Sequence, residues 1–209
     1  AINGLTELLL EDESLNEEGK EIVEMIGEAG NRQKELITRL LHYSHFEGGD
    51  FNLEMSEVNV VYSINKILPN FMLTAENKNQ KIQFNYNNEE TLISADNLLF
   101  SEIIENLLSN AIKYSPPNRN IFIDVLKVRS KVQINIRDEG PGFSEDDKIK
   151  MYKPFVKLSA QPTGGELSTG LGLSIVKRLT ELNKGTITLV STQRHGSEFI
   201  LEFDEVKED

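Results

Sequence analysis

The sequence predicts an α+β fold: a two-layer α/β sandwich, with a mixed sheet of about five strands and three helices on one face, preceded by an antiparallel helical hairpin. Three observations predict it. Apolar residues recur four and three apart from Ile22 to Tyr43, the period of a helix that packs on other helices. From Lys81 onward, runs such as Lys81 to Tyr86, Ile121 to Val128 and Val132 to Arg137 alternate apolar with polar, the period of strands with one buried face. Between these runs, Asp96 to Tyr114 has helical spacing, and Pro116-Pro117-Asn118 stops it.

The hairpin comes first. Ser14 and Glu17 form a capping-box signature, and a long helix is expected from there to about Phe46. Its seam runs through Ile22, Ile26, Ala29, Gln33, Leu36, Leu40 and Tyr43. Ahead of it Ile2, Leu5 and Leu8 or Leu9 form a shorter arm, joined by the acidic turn Glu11-Asp12-Glu13. The seam spans about 30 Å and the first arm about 15 Å, so half the seam lacks a partner within the chain. Another chain covering it, and a first helix that begins before Ala1, are both expected. Gly48-Gly49-Asp50 breaks the helix and divides the sequence into domains 1–50 and 51–209.

The second domain then reads in order. Glu54 to Val60 is a short edge strand, followed by a helix over Val61 to Asn77 that Pro69 interrupts or kinks. Strands follow at Lys81 to Tyr86 and Thr91 to Ser94, and then the helix Asp96 to Tyr114. Two strands around the Arg129-Ser130 turn, a helix from Leu171 to Leu182, and strands Thr186 to Ser191 and Glu198 to Phe203 complete it. Between Phe143 and Ser168 lie about 25 residues rich in Lys, Gly, Pro and Thr, too long for an ordinary connection and expected as a lid or a disordered loop.

Composition narrows the function. With 38% hydrophobic and 27% charged residues in a chain of 209, this is an ordinary globular balance. A net charge of -12 argues against DNA or another polyanion as partner, whereas a nucleotide site needs only local cations and backbone N–H groups. There is no cysteine, which fits a reducing compartment. No run approaches the roughly 18 apolar residues of a membrane span, and no signal peptide is visible. A cytoplasmic location is expected, with any membrane anchor in segments outside this sequence.

The helix over Ser101 to Ser115 carries two faces. Leu99, Ile103, Leu107 (or Leu108) and Ala111 make one that must be buried. Asn106, Asn110 and Lys113 fall in a narrow stripe on the other, with Glu102 one turn earlier. Hard amide oxygens and an ammonium in a row suit a metal-bound polyphosphate; the alternative is a solvated polar face. Asp138 ends a strand otherwise lined by Val132, Ile134 and Ile136, so its carboxylate either points into a pocket or caps the Gly140-Pro141-Gly142 turn. Gly170 to Leu173 opens a helix whose free N–H groups can face phosphates.

Read in order, NLLSNAIKYS (106–115), DEGPGF (138–143), the PF of MYKPFVK (151–157), TGLGLSIVKRL (169–179) and GSEF (196–199) resemble the N, G1, F, G2 and G3 boxes of sensor histidine kinases. These belong to the GHKL group of ATP-binding proteins, with gyrase-type topoisomerases and certain chaperones. The resemblance implies ATP and Mg²⁺ as cofactors. It gives Asp138 the adenine amino group, Asn110 the Mg²⁺, and Tyr114, Gly140 and Gly142 places beside the nucleotide. Asn106, Lys113 and Lys157 take the catalytic positions along the phosphate path, Lys157 standing where many relatives have arginine. Phe155 anchors a lid over about 143–169, and Thr169, Gly170, Leu171, Gly172 and Leu173 hold phosphates. Ser168 replaces a glycine common in relatives.

The resemblance extends to mechanism. In the ATP-hydrolysing relatives a catalytic glutamate stands where this chain has Asn106, and an amide cannot take a proton as a general base. The site therefore looks built to hold ATP until a histidine nitrogen attacks the γ-phosphoryl group, which then passes to an aspartate of a response regulator receiver domain. AINGLTELLLED resembles the segment after the H box, and LLHYSHFEGGDFNLEMSEVNV the end of the second dimerisation helix. The acceptor histidine is expected ahead of Ala1, none of His42, His45 and His195 being in that context, and the hairpin is expected to form a homodimer. Two alternatives stay open: a non-catalytic scaffold or pseudokinase, and a GHKL ATPase or protein serine kinase, which Asn106 and the hairpin disfavour.

Overall fold

In a computed structural model the described residues are 2–10, 12, 15–27, 29–30, 53–87, 91–166 and 168–206. They belong to two compact units, Ala1–Phe51 and Asn52–Asp209.

In the first unit, α1 (Ile2–Leu10) is followed by a second helix, α2, over 17–27. Asn16 Oδ1 accepts Gly19 N–H at 2.8 Å and caps the helix; Ser14, where a cap is expected, lies outside the described residues. Glu17 pairs with Lys20 (3.4 Å). Thr6 and Val23 are buried, and a Cβ on Gly27 would lie 3.2 Å from Thr6 Oγ1, so the two helices approach closely there. Ile22 and Ile26, at the start of the expected seam, are exposed in the single chain together with Leu5, Leu8 and Met25, and Val23 is buried. Gln33, Leu36, Leu40, Tyr43, His42, His45 and the break at 48–50 lie outside the described residues.

The second unit is built on a five-stranded sheet. Its strands are β2 (Lys81–Tyr86), β4 (Asn120–Val128), β5 (Lys131–Asp138), β6 (Thr186–Ser191) and β7 (Ser197–Asp204), in the order β2-β4-β5-β7-β6. The β2–β4 pair is parallel and the others antiparallel, which makes the sheet mixed. Register keeps one face apolar: Ile123 lies opposite Ile136, Ile136 opposite Phe199, and Ile134 opposite Leu201, all buried. Onto that face pack α5 (Asn97–Tyr114) and α7 (Gly172–Leu182). From α5, Leu99, Phe100, Ile103, Ile104, Leu107, Leu108, Ala111 and Ile112 are buried, and Phe100 meets Phe203 edge-on with centroids 5.8 Å apart. Burying so wide a stripe fixes the rotation of α5 about its axis and turns the Asn106–Asn110 face away from the sheet.

Two elements differ from expectation, and one expected break is seen. The strand expected at the edge of the sheet, β1 (Met55–Asn59), instead forms a separate two-stranded ribbon with β3 (Leu92–Asp96). The reason lies at Asp96, where β3 runs directly into α5. Oδ1 of Asp96 accepts Leu98 and Leu99 N–H (3.0 and 3.2 Å), Oδ2 accepts Glu54 N–H (3.0 Å), and its own N–H donates to Asn183 Oδ1 (2.7 Å). The ribbon is thereby tied to the start of α5, and it meets the sheet where the chain leaves β7, Val206 N–H donating to the Leu92 carbonyl (2.9 Å). The helix expected over 61–77 is interrupted at Pro69, one of the two outcomes expected there, into α3 (Val60–Ile67) and α4 (Pro69–Glu76). Pro69 takes the first position of α4, where a missing N–H costs nothing. Finally, the segment expected to be irregular opens with α6 (Glu145–Lys150), held by a reciprocal capping box between Ser144 and Asp147.

Candidate nucleotide-binding site

The site grows from the outward stripe of α5. Asn106 donates its Nδ2 to the Glu102 carbonyl one turn earlier (2.9 Å), which only the amide nitrogen can do, and so presents its oxygen. A Cβ built on Gly172 would lie 3.3 Å from that oxygen and 3.7 and 3.9 Å from Asn110 Nδ2 and Oδ1. The start of α7 therefore rests directly on the two carboxamides. The first turn-closing bond of α7 runs from Ile175 N–H to the Leu171 carbonyl (3.0 Å), and no side chain caps the helix. The N–H groups over 172–174 precede that bond and carry the positive end of the helix dipole. Thr169 Oγ1 accepts Leu171 N–H (3.3 Å) and shapes the approach; Leu171 is buried and Leu173 half-buried.

A second group forms where β5 ends. Asp138 is 8% exposed and lies opposite Ser197 in the β5–β7 register. Its Oδ1 accepts Gly140 N–H (2.7 Å), and its Oδ2 accepts Ser197 Oγ–H. The carboxylate thus caps the turn, one of the two readings of it, and is buried. Burial pushes its carboxyl up from the ordinary range, and hydrogen bonds from Ser197 and Gly140 only partly offset this. Gly140 is required by crowding, since a Cβ there would sit 2.7 Å from Asp138 Oδ1 and 3.2 Å from the Tyr114 carbonyl. Gly142 has φ +67° and abuts the Thr192 carbonyl in the β6–β7 turn. Ser191 Oγ completes the link, accepting Phe143 N–H (3.0 Å) and donating to the Gly196 carbonyl (2.7 Å). His195 is exposed in that same turn.

The lid joins both groups. Tyr114 Oη donates to Ser168 Oγ (3.0 Å). Gly170, at φ +71°, is where the chain passes the backbone of Phe155 and Val156, with a Cβ 2.8 Å from Phe155 C. The Phe155 ring is 59% exposed, so at Gly170 it is the backbone of the F-box pair, itself at φ +60°, that makes the contact. Asp147 holds the first half of the lid by accepting Ser144 Oγ–H (2.7 Å), Ser159 N–H (2.9 Å) and Ser159 Oγ–H (2.5 Å). Burial alone would raise its carboxyl, but these bonds outweigh it and hold it at about 2.

The structure thus brings Asn106, Asn110 and Gly172 together, and Tyr114, Asp138 and Gly140 together. Lys113 lies in the last turn of α5, beside Tyr114. Lys157 is exposed in the lid, and among the described residues no hydrogen bond or ion pair joins it to either group. Also among the described residues, no cluster of three or more His, Cys, Asp or Glu could hold a metal. A magnesium ion that keeps most of its waters and binds phosphate needs only one or two protein oxygens, and the Asn110 amide beside the α7 N-terminus fits that demand. Sequence reasoning missed Ser197 as a support of Asp138 and Ser191 as the tie between Phe143 and the Gly196 turn. The GSEF motif marks the strand, but only the register sets its serine against the carboxylate.

Residues 95–207, from the end of β3 through β7, match the Histidine kinase-, DNA gyrase B-, and HSP90-like ATPase family. The chain belongs to that family. Within it, this is an ATP-binding region of the sensor histidine kinase kind. It is 32% identical over 198 residues to Histidine kinase P4 of Formosa agariphila, covering 93% of this chain and 14% of that protein. Full-length ShkA, solved in complex with AMPPNP, shares the fold with a TM-score of 0.81 at 24% identity, over 99% of this chain and 44% of ShkA. ThkA, solved in complex with the response regulator TrrA, gives a TM-score of 0.73 at 24% identity, over 98% of this chain and 57% of ThkA. The histidine kinase region described here therefore spans only part of the length of each. Among its described residues no helix is long and apolar enough to cross a membrane.

Proposed function

We propose that this chain is the kinase region of a sensor histidine kinase, binding Mg-ATP and transferring its γ-phosphoryl group to a histidine outside this sequence, for relay to a response regulator aspartate. The observation that carries the reading is the contact of Gly172 with Asn106 and Asn110, which joins a helix N-terminus to two carboxamides in one place. Asp138 accepts the adenine amino group, its position held by Ser197 and Gly140. The N–H groups at the start of α7 receive the phosphates, with Lys113 and the lid's Lys157 as the cations beside them. Asn110 offers its amide oxygen to magnesium, whose chemistry when bound is to neutralise phosphate charge.

Asn106 explains why such a site would wait. Its amide can neither accept a proton from water nor give one, so it orients without activating. The incoming imidazole attacks the γ-phosphorus with its own lone pair. The bond to the β–γ bridging oxygen breaks and ADP leaves with that electron pair, and the protein contributes position and charge. The exposed apolar surface of α1 and α2, including Leu5, Leu8, Ile22, Met25 and Ile26, supports homodimerisation through the hairpin.

A titration with a fluorescent ATP analogue and magnesium, comparing wild type with Asn110→Ala, tests the metal assignment. Equal affinity in the two would defeat it. Supplying a separate helix that carries an acceptor histidine, and following phosphoryl transfer to it, tests the kinase reading. Binding without transfer would favour a scaffold that uses ATP structurally, and steady phosphate release from the chain alone would favour an ATPase.

A further inference from the structure

Lys78 lies in the turn between α4 and β2 and belongs to none of the sequence boxes. Its side chain is only 10% exposed. The ammonium donates to the carbonyls of Ile112 (2.7 Å) and Lys113 (3.2 Å) and to Glu166 Oε1 (3.2 Å). All three of its protons are engaged. The two carbonyls belong to the last turn of α5, where they have no partner within the helix and carry the negative end of its dipole. Glu166 belongs to the returning arm of the lid, and its Oε2 accepts Gly164 N–H (2.8 Å).

The same stretch of lid is tied to α5 a second time. Thr163 N–H donates to the Lys113 carbonyl (2.9 Å), and Thr163 Oγ–H is shared between that carbonyl (3.1 Å) and the Ser115 carbonyl (2.8 Å). On the far side, Gln80 Nε2 holds the Ile112, Ser115 and Pro116 carbonyls (3.1, 2.7 and 3.2 Å). The end of the helix that bears Asn106, Asn110 and Lys113 is therefore clamped from the α4–β2 side, and the lid is attached to the same clamp. Two residues beyond Glu166 comes Ser168, bonded to Tyr114, and then the phosphate-facing Thr169 to Leu173.

We infer that Lys78 is a positioning residue for nucleotide retention: one nearly buried ammonium latches the returning arm of the lid, through Glu166, to the carbonyl end of α5. The latch sets where the lid re-enters α7 and so holds the start of that helix against the two asparagines. The inference rests on the nucleotide reading of the site. It assigns Lys78 no contact with the nucleotide. Its effect falls on how long the nucleotide stays.

A purely structural role, capping α5, predicts something different, and Glu166 separates the two. Glu166→Ala leaves both carbonyl bonds of Lys78 intact and removes its bond to the lid, together with the acceptor of Gly164 N–H, so exchange is read at Thr163, whose N–H bonds to α5 and not to Glu166. The full chain, with Lys78→Met, Glu166→Ala and the double variant, is measured in two ways: amide hydrogen exchange at Thr163 without nucleotide, and dissociation of trinitrophenyl-ATP with magnesium. Glu166→Ala is expected to speed both by about tenfold, the loss of one charge-assisted bond to Lys78, and Lys78→Met by at least as much, since it loses the two carbonyl bonds as well, with association unchanged in both. The double variant is expected to match Lys78→Met, since the two residues act through one contact. Wild-type exchange and dissociation in Glu166→Ala would overturn the latch, as would faster exchange with unaltered dissociation. Should Lys78→Met fail to fold, Glu166→Ala alone decides. A wild-type chain that binds no nucleotide would sink the functional reading, while exchange at Thr163 would still report whether the latch exists.

Discussion

Gly172 has no spare room in front of Asn106: a single methyl at its Cα would come within 3.3 Å of the Asn106 amide oxygen. Its backbone is ordinary helix, so the glycine is there for proximity and not for an unusual φ. Gly172→Ala should therefore leave thermal stability nearly unchanged, because alanine suits a helix better than glycine. It should weaken nucleotide binding about tenfold by displacing the carboxamide or the phosphate, about 1.4 kcal/mol. Calorimetric titration alongside a melting curve separates the two effects, and equal losses in both would show the glycine to be structural.

Asp138 gives a test with a sign. Burial raises its folded carboxyl above the unfolded value, so its contribution to stability is fully present below the unfolded pKa of 3.8 and is lost as pH rises through the raised folded one. The carboxylate needed for adenine is thus maintained against folding stability, helped by Ser197. Ser197→Ala removes a bond that favours the ionised form and should push the Asp138 carboxyl higher still, measured by its carbon chemical shift against pH. In the same variant nucleotide binding should weaken by about 1–2 kcal/mol.

Asp147 behaves in the opposite sense. Held at about 2 against an ordinary 3.8, it stabilises the fold above pH 3.8, and that contribution is lost as pH falls through 2. Asp147→Asn should cost about 1–2 kcal/mol at neutral pH, allowing for screening by nearby solvent. Denaturant unfolding at a series of pH values should show the gap between variant and wild type closing between pH 4 and 2. A gap independent of pH would mean that the four hydrogen bonds from Ser144 and Ser159 do not depend on the charge.

The hairpin's outward residues allow a test separate from the site. Ile22→Glu combined with Ile26→Glu should shift the chain toward monomer in sedimentation, since both side chains are exposed and apolar in the single chain. Nucleotide affinity should be unchanged. An unaltered sedimentation profile would assign that surface to something other than a second copy.

How far the sequence could be read depended on the reach of each interaction. The α5 helix was legible because Leu99, Ile103, Leu107 and Ala111 repeat locally and Pro116 follows at once, and the asparagine stripe came with it. Strand positions were legible from alternation. Partners were not, since alternation marks a face and not a neighbour, so the β1–β3 ribbon was mistaken for an edge of the sheet. The six residues of α6 are too few to show a helical period, and its capping box uses Asp147 where glutamate or glutamine is the familiar signal. Gly140 and Gly172 could be picked out as residue types, but what they make room for could not. Lys78 left no trace at all, because its acid partner is 88 residues away.

One residue ties down more backbone than any box in the sequence suggests. The Asp96 carboxylate stops the ribbon strand, starts α5 and anchors the chain at Glu54, and its backbone N–H donates to Asn183 at the far end of α7. Four chain ends that would otherwise fray separately share a single knot. Local opening at any one of them must break bonds belonging to the others, so this corner of the domain should melt as a block, late in unfolding, with amide protection close to that of the core.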